Sequence, residues 1–252
     1  MRRVLLAFLF LAACREAPSV AETQASAPVS ACSERLFEGS RFAICDPGKG
    51  LIEVITGEPP YREFAKLEAA LGKRRVLFAM NGGMFGEDGR AIGLLVENGR
   101  QIHAINRREG GGNFHLMPNG VFLVQRDGST DVISSDAYKP SPNIAFAAQS
   151  GPMLVIAGKL HPRFDPDGTS RNIRNGVGIA SDGRPRFVIS QDPVSFGKFA
   201  RLFRDDLGAK TALYFDGSVS SLWDPANGRR DTHAPFGPMV VVFKREGSAP
   251  HP

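Results

Sequence analysis

The chain has 252 residues, of which 42% are hydrophobic, and its formal net charge at pH 7 is +5. A chain of this length fits one domain with many strands and can bury a sizeable core. The Lys and Arg residues are scattered and lack interleaved aromatic residues, which argues against a nucleic-acid-binding surface. We therefore predict no nucleic-acid partner.

The first thirteen residues have the features of a signal peptide. Arg2 and Arg3 supply positive charge, and the apolar run 4–10 is too short to cross about 30 Å of hydrocarbon. Leu11-Ala12-Ala13-Cys14 resembles a bacterial lipobox, which predicts that Cys14 is lipidated. The protein would then be an exported, membrane-anchored lipoprotein facing the periplasm or the cell exterior. The alternative is an ordinary signal peptide cleaved at a nearby small residue.

Composition divides the remainder into three parts. Residues 14–31 contain few large apolar side chains, too few to offset the entropy of ordering, and predict a flexible tether behind the lipidated cysteine. Residues 32–246 predict a single folded domain, and residues 247–252 a disordered tail.

Cys32 and Cys45 remain once Cys14 is assigned to the lipid. An exported protein meets conditions that permit disulfides, so we predict a bond between them that stabilises the first hairpin. The alternative is two buried free thiols.

Asn-Gly and Asp-Gly pairs between apolar, β-rich runs are the strongest local signals, because both central positions of a type I′ turn need positive φ. Four such pairs predict hairpins: Asn98-Gly99 between 93–96 and 101–105, Asn119-Gly120 between 114–117 and 121–125, Asp127-Gly128 before 130–134, and Asp182-Gly183 between 177–180 and 186–190. Further strands are predicted at 76–80, 153–156, 213–215 and 239–243.

Two segments have helical periodicity. Residues 61–71 follow Pro59-Pro60 and stop at Gly72, and residues 195–207 stop at Gly208. Their apolar stripes favour packing against a core. The sequence thus predicts an α+β fold, a single domain of mostly antiparallel or mixed sheets with two main amphipathic helices.

Four strand ends run into glycine and polar residues, where the backbone can approach a ligand closely. The alternative for each segment is a plain turn, and for Arg174 an exposed side chain. The four segments are Asn81-Gly82-Gly83-Met84-Phe85, Gln149-Ser150-Gly151-Pro152, Arg174-Asn175-Gly176-Val177-Gly178 and Asp216-Gly217-Ser218-Val219-Ser220-Ser221.

Asp216 and Arg174 carry the most chemistry in these segments. Asp216 follows the apolar strand 212–215, so its carboxylate would be partly desolvated and could act as an acid, base or nucleophile. An Asx turn is the alternative. Arg174 could clamp a phosphate with its guanidinium.

Together, these segments and their spacing resemble the phosphodiester glycosidase family over about residues 36–243, with Gly112-Asn113-Phe114 and Pro118-Asn119-Gly120-Val121 adding to the match. Its animal member, the lysosomal uncovering enzyme, removes N-acetylglucosamine from a mannose 6-phosphate diester. The chain departs from the animal pattern at Ser218-Val219, where glycines are expected, and at Asn175, where Thr is expected.

The resemblance implies hydrolysis of a glycosyl 1-phosphodiester with phosphate as the leaving group. Departure of a weakly basic phosphate needs anion stabilisation, which suits Arg174, and Asp216 would stabilise an oxocarbenium-like state or activate water. Asp192 is a candidate second carboxylate, and a turn before Pro193 is the alternative. The predicted substrate-binding residues are Asn81, Gly82, Gly83, Phe85, Ser150, Gly151, Asn175, Gly217, Ser220 and Ser221.

The expected partners are an envelope glycan or sugar-phosphate substrate and, through the lipid, the membrane; the oligomeric state stays open. No cofactor and no metal site are predicted. Asp165 begins a calcium-loop-like stretch, but Gly176 stands where a Glu would be required, so we interpret it as a turn. A divalent metal held by carboxylates distant in sequence stays open. The alternative functions are a non-catalytic glycan- or partner-binding lipoprotein and an envelope scaffold.

Overall fold

The computed structural model describes residues 29–245. The predicted signal peptide, the lipidation of Cys14, the tether up to residue 28 and the tail 247–252 lie outside the described residues. The Ser30 hydroxyl donates to Asp224 Oδ2 at 2.7 Å, and the Ala31 carbonyl accepts from the Asp46 amide at 2.9 Å. The packed part of the chain thus already includes the last two residues of the segment predicted as tether.

Seventeen strands form between residues 29 and 245. In chain order they are β1 (Cys32–Phe37), β2 (Ser40–Cys45), β3 (Leu51–Ile55), β4 (Val76–Asn81), β5 (Leu95–Glu97), β6 (Arg100–His103), β7 (Gly120–Gln125), β8 (Thr130–Ser134), β9 (Ile144–Ser150), β10 (Met153–Ile156), β11 (Lys159–Leu160), β12 (Asn175–Ile179), β13 (Pro185–Ser190), β14 (Thr211–Tyr214), β15 (Leu222–Asp224), β16 (Arg229–Arg230) and β17 (Met239–Phe243).

The strands pair antiparallel in three sheets. Their orders are β1-β2-β13-β12-β14-β10-β11, β16-β15-β4-β17-β3 and β6-β5-β9-β7-β8. Two α-helices, α1 (Phe64–Leu71) and α2 (Phe196–Arg201), accompany them. This is the α+β single domain that the sequence predicts.

The three sheets meet in one core, where buried aromatic residues of different sheets touch. The Phe187 ring of β13 lies 5.5 Å from the Phe78 ring of β4 and 5.5 Å from the Phe122 ring of β7. All three side chains are fully buried. Such contacts hold the sheets in a fixed relation, which is what places strand ends from all three at one site.

The first hairpin and its predicted disulfide are confirmed. Cys32 and Cys45 face each other in the β1–β2 register and are bonded. The hairpins at Asn98-Gly99, Asp127-Gly128 and Asp182-Gly183 are confirmed too.

The hairpin predicted at Asn119-Gly120 is wrong. Residues 114–117 form turns, and Gly120 is the first residue of β7, paired with Ser134 and Ser150. A β-carbon at Gly120 would lie 2.9 Å from the Ile133 carbonyl, so close packing requires this glycine. Asn119 is buried and donates to the Phe114 carbonyl at 3.0 Å.

The predicted helices need two corrections. Helix α1 begins at Phe64, three residues late, because Arg62 has φ +62° and the Tyr61 amide bonds back to the Thr56 carbonyl. Helix α2 has the Ser195 hydroxyl as its N-cap acceptor and continues as a π-helical turn, Leu202–Asp206. Among the described residues, no helix is long and apolar enough to cross a membrane.

Candidate functional site

The candidate site lies where strands of the three sheets end together. Strand β4 ends at Asn81, β12 begins at Asn175, β9 ends at Ser150, and β14 continues into Phe215-Asp216. The Ser150 hydroxyl donates to the Phe215 carbonyl at 2.6 Å, which joins the third sheet to this point. The structure thus brings together four segments that the sequence singled out.

Two buried asparagines form hydrogen bonds with the backbone of Asp216. The Asn175 side-chain oxygen accepts from the Asp216 amide at 3.3 Å, and the Asn81 side-chain nitrogen donates to the Asp216 carbonyl at 3.2 Å. Asn175 Nδ2 donates to Asn81 Oδ1 at 2.8 Å and to the Asn81 carbonyl at 2.9 Å. Both side chains have 0% exposure, so this pair orients the Asp216 peptide from inside the protein.

Ser220 and Ser221 are the last two residues of the loop that begins at Asp216. The Ser220 hydroxyl lies 3.1 Å from the Asp216 carbonyl and 3.1 Å from Asn175 Oδ1. The Ser221 amide donates to Asn81 Oδ1 at 2.9 Å, and its hydroxyl donates to the Val219 carbonyl. Because both serines are buried, residues 216–221, here called the Asp216 loop, are fixed at both ends.

The Asp216 carboxylate is partly buried and has few partners. Its Oδ1 accepts from the Ser218 amide at 3.0 Å, an Asx turn of the kind the sequence allowed. Burial raises the pKa of Asp216 above its ordinary value, and the Ser218 amide opposes that shift. A carboxylate in this setting has acceptor capacity left for a ligand or a water.

Arg174 is buried, with 1% exposure, and uses backbone carbonyls as its main partners. Nε donates to Val194 at 2.9 Å and Nη2 to Ser170 at 3.0 Å, while the guanidinium lies 3.6 Å from the Phe196 ring centre. Burial lowers the pKa of Arg174. A guanidinium still stays protonated at neutral pH, so Arg174 places a fixed positive charge in the interior.

Tyr214 links Arg174 to the Asp216 loop. Its hydroxyl lies 3.5 Å from Arg174 Nη1, and a β-carbon at Gly217 would overlap it. Burial raises the pKa of Tyr214 to about 12, so the hydroxyl keeps its proton at physiological pH. Sequence reasoning missed Tyr214, because a Tyr within an apolar strand is indistinguishable from an ordinary core residue.

The glycines predicted to bind substrate are required at their positions for different structural reasons. A β-carbon at Gly82 would lie 2.6 Å from Val240, and one at Gly151 2.6 Å from Asn119, so packing requires both. The Gly82 amide donates to the Pro238 carbonyl, so it is already engaged within the protein. At Gly83 a β-carbon would make only ordinary contacts.

Phe85 and Asp192 lie in other surroundings. The Phe85 ring lies under the Arg62 guanidinium, 5.7 Å from its carbon. Asp192 accepts from the Arg41 amide at 2.7 Å and from its guanidinium at 3.2 Å, and these bonds hold the pKa of Asp192 below its ordinary value. A carboxylate so held is ionised and engaged in a surface ion pair.

Sequence reasoning also missed Gln149, which stands in one of the four segments but was given no role. Its side-chain oxygen accepts from the amides of Leu94 and Asn106, and its nitrogen donates to Asn119 Oδ1 at 3.2 Å. This buried amide joins three loops beside Ser150. The sequence signal for this role was an amide side chain at a strand end, because such an amide often hydrogen-bonds to backbone groups.

The segments described above lie within the part of the chain that matches a known protein family. The family model described as phosphodiester glycosidase matches residues 74–243, which include Asn81, Arg174 and the Asp216 loop. The chain belongs to the phosphodiester glycosidase family. Family membership supports a hydrolase-like role for the domain.

Proteins similar to this chain were found by sequence and by structure. The chain is 39% identical to the uncharacterized protein YigE of Escherichia coli K12 over 171 residues, which are 68% of this chain and 67% of that protein. A hypothetical protein from Synechocystis has a TM-score of 0.53 at 13% identity, over 85% of this chain and 61% of its own. A putative exported protein from Burkholderia pseudomallei has a TM-score of 0.54 at 12% identity, over 81% and 73%. These two likenesses concern the fold alone, and this chain spans less than two thirds of the Synechocystis protein.

No group of three or more His, Cys, Asp or Glu side chains within residues 29–245 is arranged to hold a metal ion. The stretch at Asp165 is a turn, in which Asp165 Oδ1 accepts from the Asp167 amide.

Proposed function

We propose that the protein is an exported, membrane-anchored hydrolase that cleaves glycosyl 1-phosphodiesters in the cell envelope, with a phosphate monoester as the leaving group. The observation that carries this proposal is the Asp216 carboxylate. It is partly buried, bonded by a single backbone amide, and mounted on a peptide that Asn81 and Asn175 hold from both sides. Preorganised placement of this kind is what catalysis of an ionic step needs.

Asp216 would act on the sugar side of the scissile bond. As the C1–O bond breaks, positive charge grows on C1 and the ring oxygen, and an ionised carboxylate stabilises it or takes a proton from the attacking water. The water oxygen becomes the new hydroxyl on C1, and the bond electrons leave with the phosphate. Such a leaving group needs little help from a general acid.

Arg174 would act on the leaving phosphate through its charge. Its guanidinium is too buried for a broad contact with ligand, but its positive field in the protein interior is screened much less than in water. The Tyr214 hydroxyl lies between this charge and the Asp216 loop. We assign Arg174 and Tyr214 the task of favouring anionic charge next to Asp216.

The other predicted site residues divide by exposure. Asn81, Asn175, Ser220 and Ser221 are positioning residues, because hydrogen bonds within the protein already engage their side chains. The Ser150 hydroxyl is likewise engaged by the Phe215 carbonyl. The partly exposed backbone at Gly217 is the proposed wall for the sugar, whereas Gly83 and Gly151 are buried and Phe85 packs under Arg62.

Export and anchoring support the choice of an envelope substrate. The disulfide between Cys32 and Cys45 is typical of a compartment outside the cytosol. With Cys14 lipidated, a flexible tether of this length would keep the domain within roughly 20–25 Å of the bilayer, from about 5–6 Å times the square root of its length. Phosphodiester-bearing glycans and lipid-linked sugar phosphates are the substrates within that reach.

The test is hydrolysis of a hexosyl 1-(methyl phosphate) diester in water enriched in oxygen-18. We expect free sugar labelled at C1 and unlabelled methyl phosphate, because the C1–O bond breaks. Label in the phosphate would instead indicate phosphodiesterase chemistry and overturn the proposal. Binding in calorimetry without any product would favour a non-catalytic glycan-binding protein.

A further inference from the structure

A polar groove leads away from the Asp216 loop. One cavity of about 540 Å³ includes Ser220, Gln191, Arg229 and His233 in its lining. A second, of about 500 Å³, continues to Glu34 and Asp224 beside the disulfide. Gln191 and Arg229 line both cavities, so the two adjoin each other, and together they are here called the Gln191 groove.

The Gln191 groove consists of two adjoining cavities, each large enough for one small ligand. Cavities of about 300–1,000 Å³ typically hold one drug-sized ligand. Two such cavities in series, beginning at Ser220 next to Asp216, offer room for units on one side of the scissile bond and for further units beyond them.

Arg229 is held ready for an anionic group in the middle of the groove. Its Nε and Nη2 donate to Asp231 at 3.1 and 2.8 Å, and Asp231 in turn accepts from the Leu222 amide. The pair uses one edge of the guanidinium, and Nη1 has no hydrogen-bond partner among residues 29–245, so it can bond a ligand. Phosphate is one of the two anionic groups that a guanidinium recognises in this way, and a phosphodiester carries it.

Acceptors for hydroxyl groups flank Arg229. Gln191 Nε2 donates to Glu34 at 2.9 Å, while the Gln191 oxygen has no hydrogen-bond partner within the described part of the chain. Asp224 is 2% exposed; its Oδ2 accepts from Ser30 and Asn227, while Oδ1 has no hydrogen-bond partner in the described range 29–245. Because Oδ1 is enclosed by the protein, the Gln191 oxygen is the acceptor that a ligand hydroxyl can reach.

We propose that the Gln191 groove binds successive repeats of a glycan chain joined through phosphodiesters, with Arg229 on a phosphate and Gln191 on sugar hydroxyls. This assignment rests on the proposed function and deepens it, since the preferred substrate is then a polymer. The repeat at the scissile bond lies at the Asp216 loop, and the next repeats extend toward Asp224.

The test compares substrates of increasing length. The probes are the hexosyl 1-(methyl phosphate) diester and synthetic hexosyl 1-phosphate oligomers of two and four repeats. We expect kcat/KM to be about tenfold or more higher for the four-repeat oligomer than for the methyl diester, mainly through KM, as one added contact of about 1.4 kcal/mol gives a factor of ten.

Two groove variants and one control make the test specific. Gln191→Ala and Arg229→Gln should bring the ratio of kcat/KM between the four-repeat oligomer and the methyl diester down toward one. Gln101→Ala, an exposed glutamine on β6, should leave both values unchanged. Circular dichroism of Arg229→Gln checks that the contact through Asp231 to Leu222 is not needed for folding, and Gln191→Ala carries the test if it is.

Each outcome has a separate meaning. Turnover of the methyl diester with no dependence on chain length, and no change in Gln191→Ala, overturns the groove and leaves the proposed function standing. Absence of turnover with every probe, but calorimetric binding of the four-repeat oligomer that Gln191→Ala weakens, supports the groove and overturns the proposed function. Neither turnover nor binding overturns both.

Discussion

Asn175 donates its side-chain amide to Asn81 Oδ1 at 2.8 Å, and the other ends of the same two amides hold the carbonyl and the amide of Asp216. The two residues lie in different sheets, at the end of β4 and the start of β12. The orientation of Asp216 therefore depends on the junction between sheets.

Asn175→Ala is expected to damage stability and activity together. It leaves the Asp216 amide and Asn81 with unpaired buried groups, each costing about 1–3 kcal/mol. Urea denaturation should show the lower free energy of unfolding, and Asn143→Ala, at an exposed loop position, should show almost no change. Equal stability of the two variants would contradict the role given to the asparagine pair.

Gly217→Ala is expected to abolish most activity, because its β-carbon would overlap the Tyr214 hydroxyl. Adding Tyr214→Phe removes the obstructing oxygen, so the double variant should recover part of the free energy of unfolding that Gly217→Ala loses, while its kcat stays low without the Tyr214 hydroxyl. Gly111→Ala, where a β-carbon meets nothing within 4 Å and φ is not positive, is the control. A double variant with no higher free energy of unfolding than Gly217→Ala would count against the contact between Gly217 and the Tyr214 hydroxyl.

Tyr214→Phe alone is expected to lower kcat with little change in folding. The hydroxyl next to Arg174 Nη1 is lost, while the buried ring stays and keeps its edge contact with Phe196 at 4.8 Å. Removal of one preorganised donor typically lowers kcat by about 100-fold or more. Tyr138→Phe, at a buried site in another part of the core, should keep wild-type kcat.

The raised pKa of Asp216 predicts how stability depends on pH. Burial disfavours the charged carboxylate in the folded protein, so the contribution of Asp216 to stability is full below its unfolded pKa of about 3.9 and is lost as pH rises through the folded pKa. Asp216→Asn removes this titration. The variant should thus gain stability relative to the wild type between pH about 3.5 and 7, as urea denaturation at both pH values would show.

The disulfide is expected to stabilise the domain without a part in the chemistry. Cys32 and Cys45 are 13 residues apart, a loop whose closure is worth about 3 kcal/mol. Replacing both cysteines by Ser should lower the free energy of unfolding by about that amount while kcat is kept. Loss of kcat at a temperature where the variant is folded would place the hairpin in the site.

Local chemistry made much of the fold predictable. Asn98 and Gly99 both have positive φ, as a tight hairpin turn needs, and Gly183 has positive φ in the turn after Asp182. These pairs predict their hairpins, and the apolar spacing in 195–207 predicts a helix. Asn119-Gly120 misled because its glycine is required by contact with the Ile133 carbonyl, a neighbour that only the folded sheet supplies.

The candidate site was predictable as a set of segments but not as an arrangement. Polar residues at strand ends pointed to Asn81, Asn175 and Asp216, yet nothing local shows that two amides bind the peptide of the third. The burial of Arg174 depends on Phe196, which α2 brings over it, and Tyr214 resembles any core residue until Gly217 lies against it. These relations arise from packing between distant segments.

The most direct test of the account is the rate at which Asp216→Asn hydrolyses the hexosyl 1-(methyl phosphate) diester. Asn keeps the shape of the side chain and an oxygen for the Ser218 amide, so folding should be preserved. Asp131→Asn, an exposed aspartate on β8, serves as the matched control. We predict that Asp216→Asn loses about 100-fold or more in kcat while the control does not. Wild-type turnover by Asp216→Asn would contradict the assignment of Asp216 as the catalytic carboxylate.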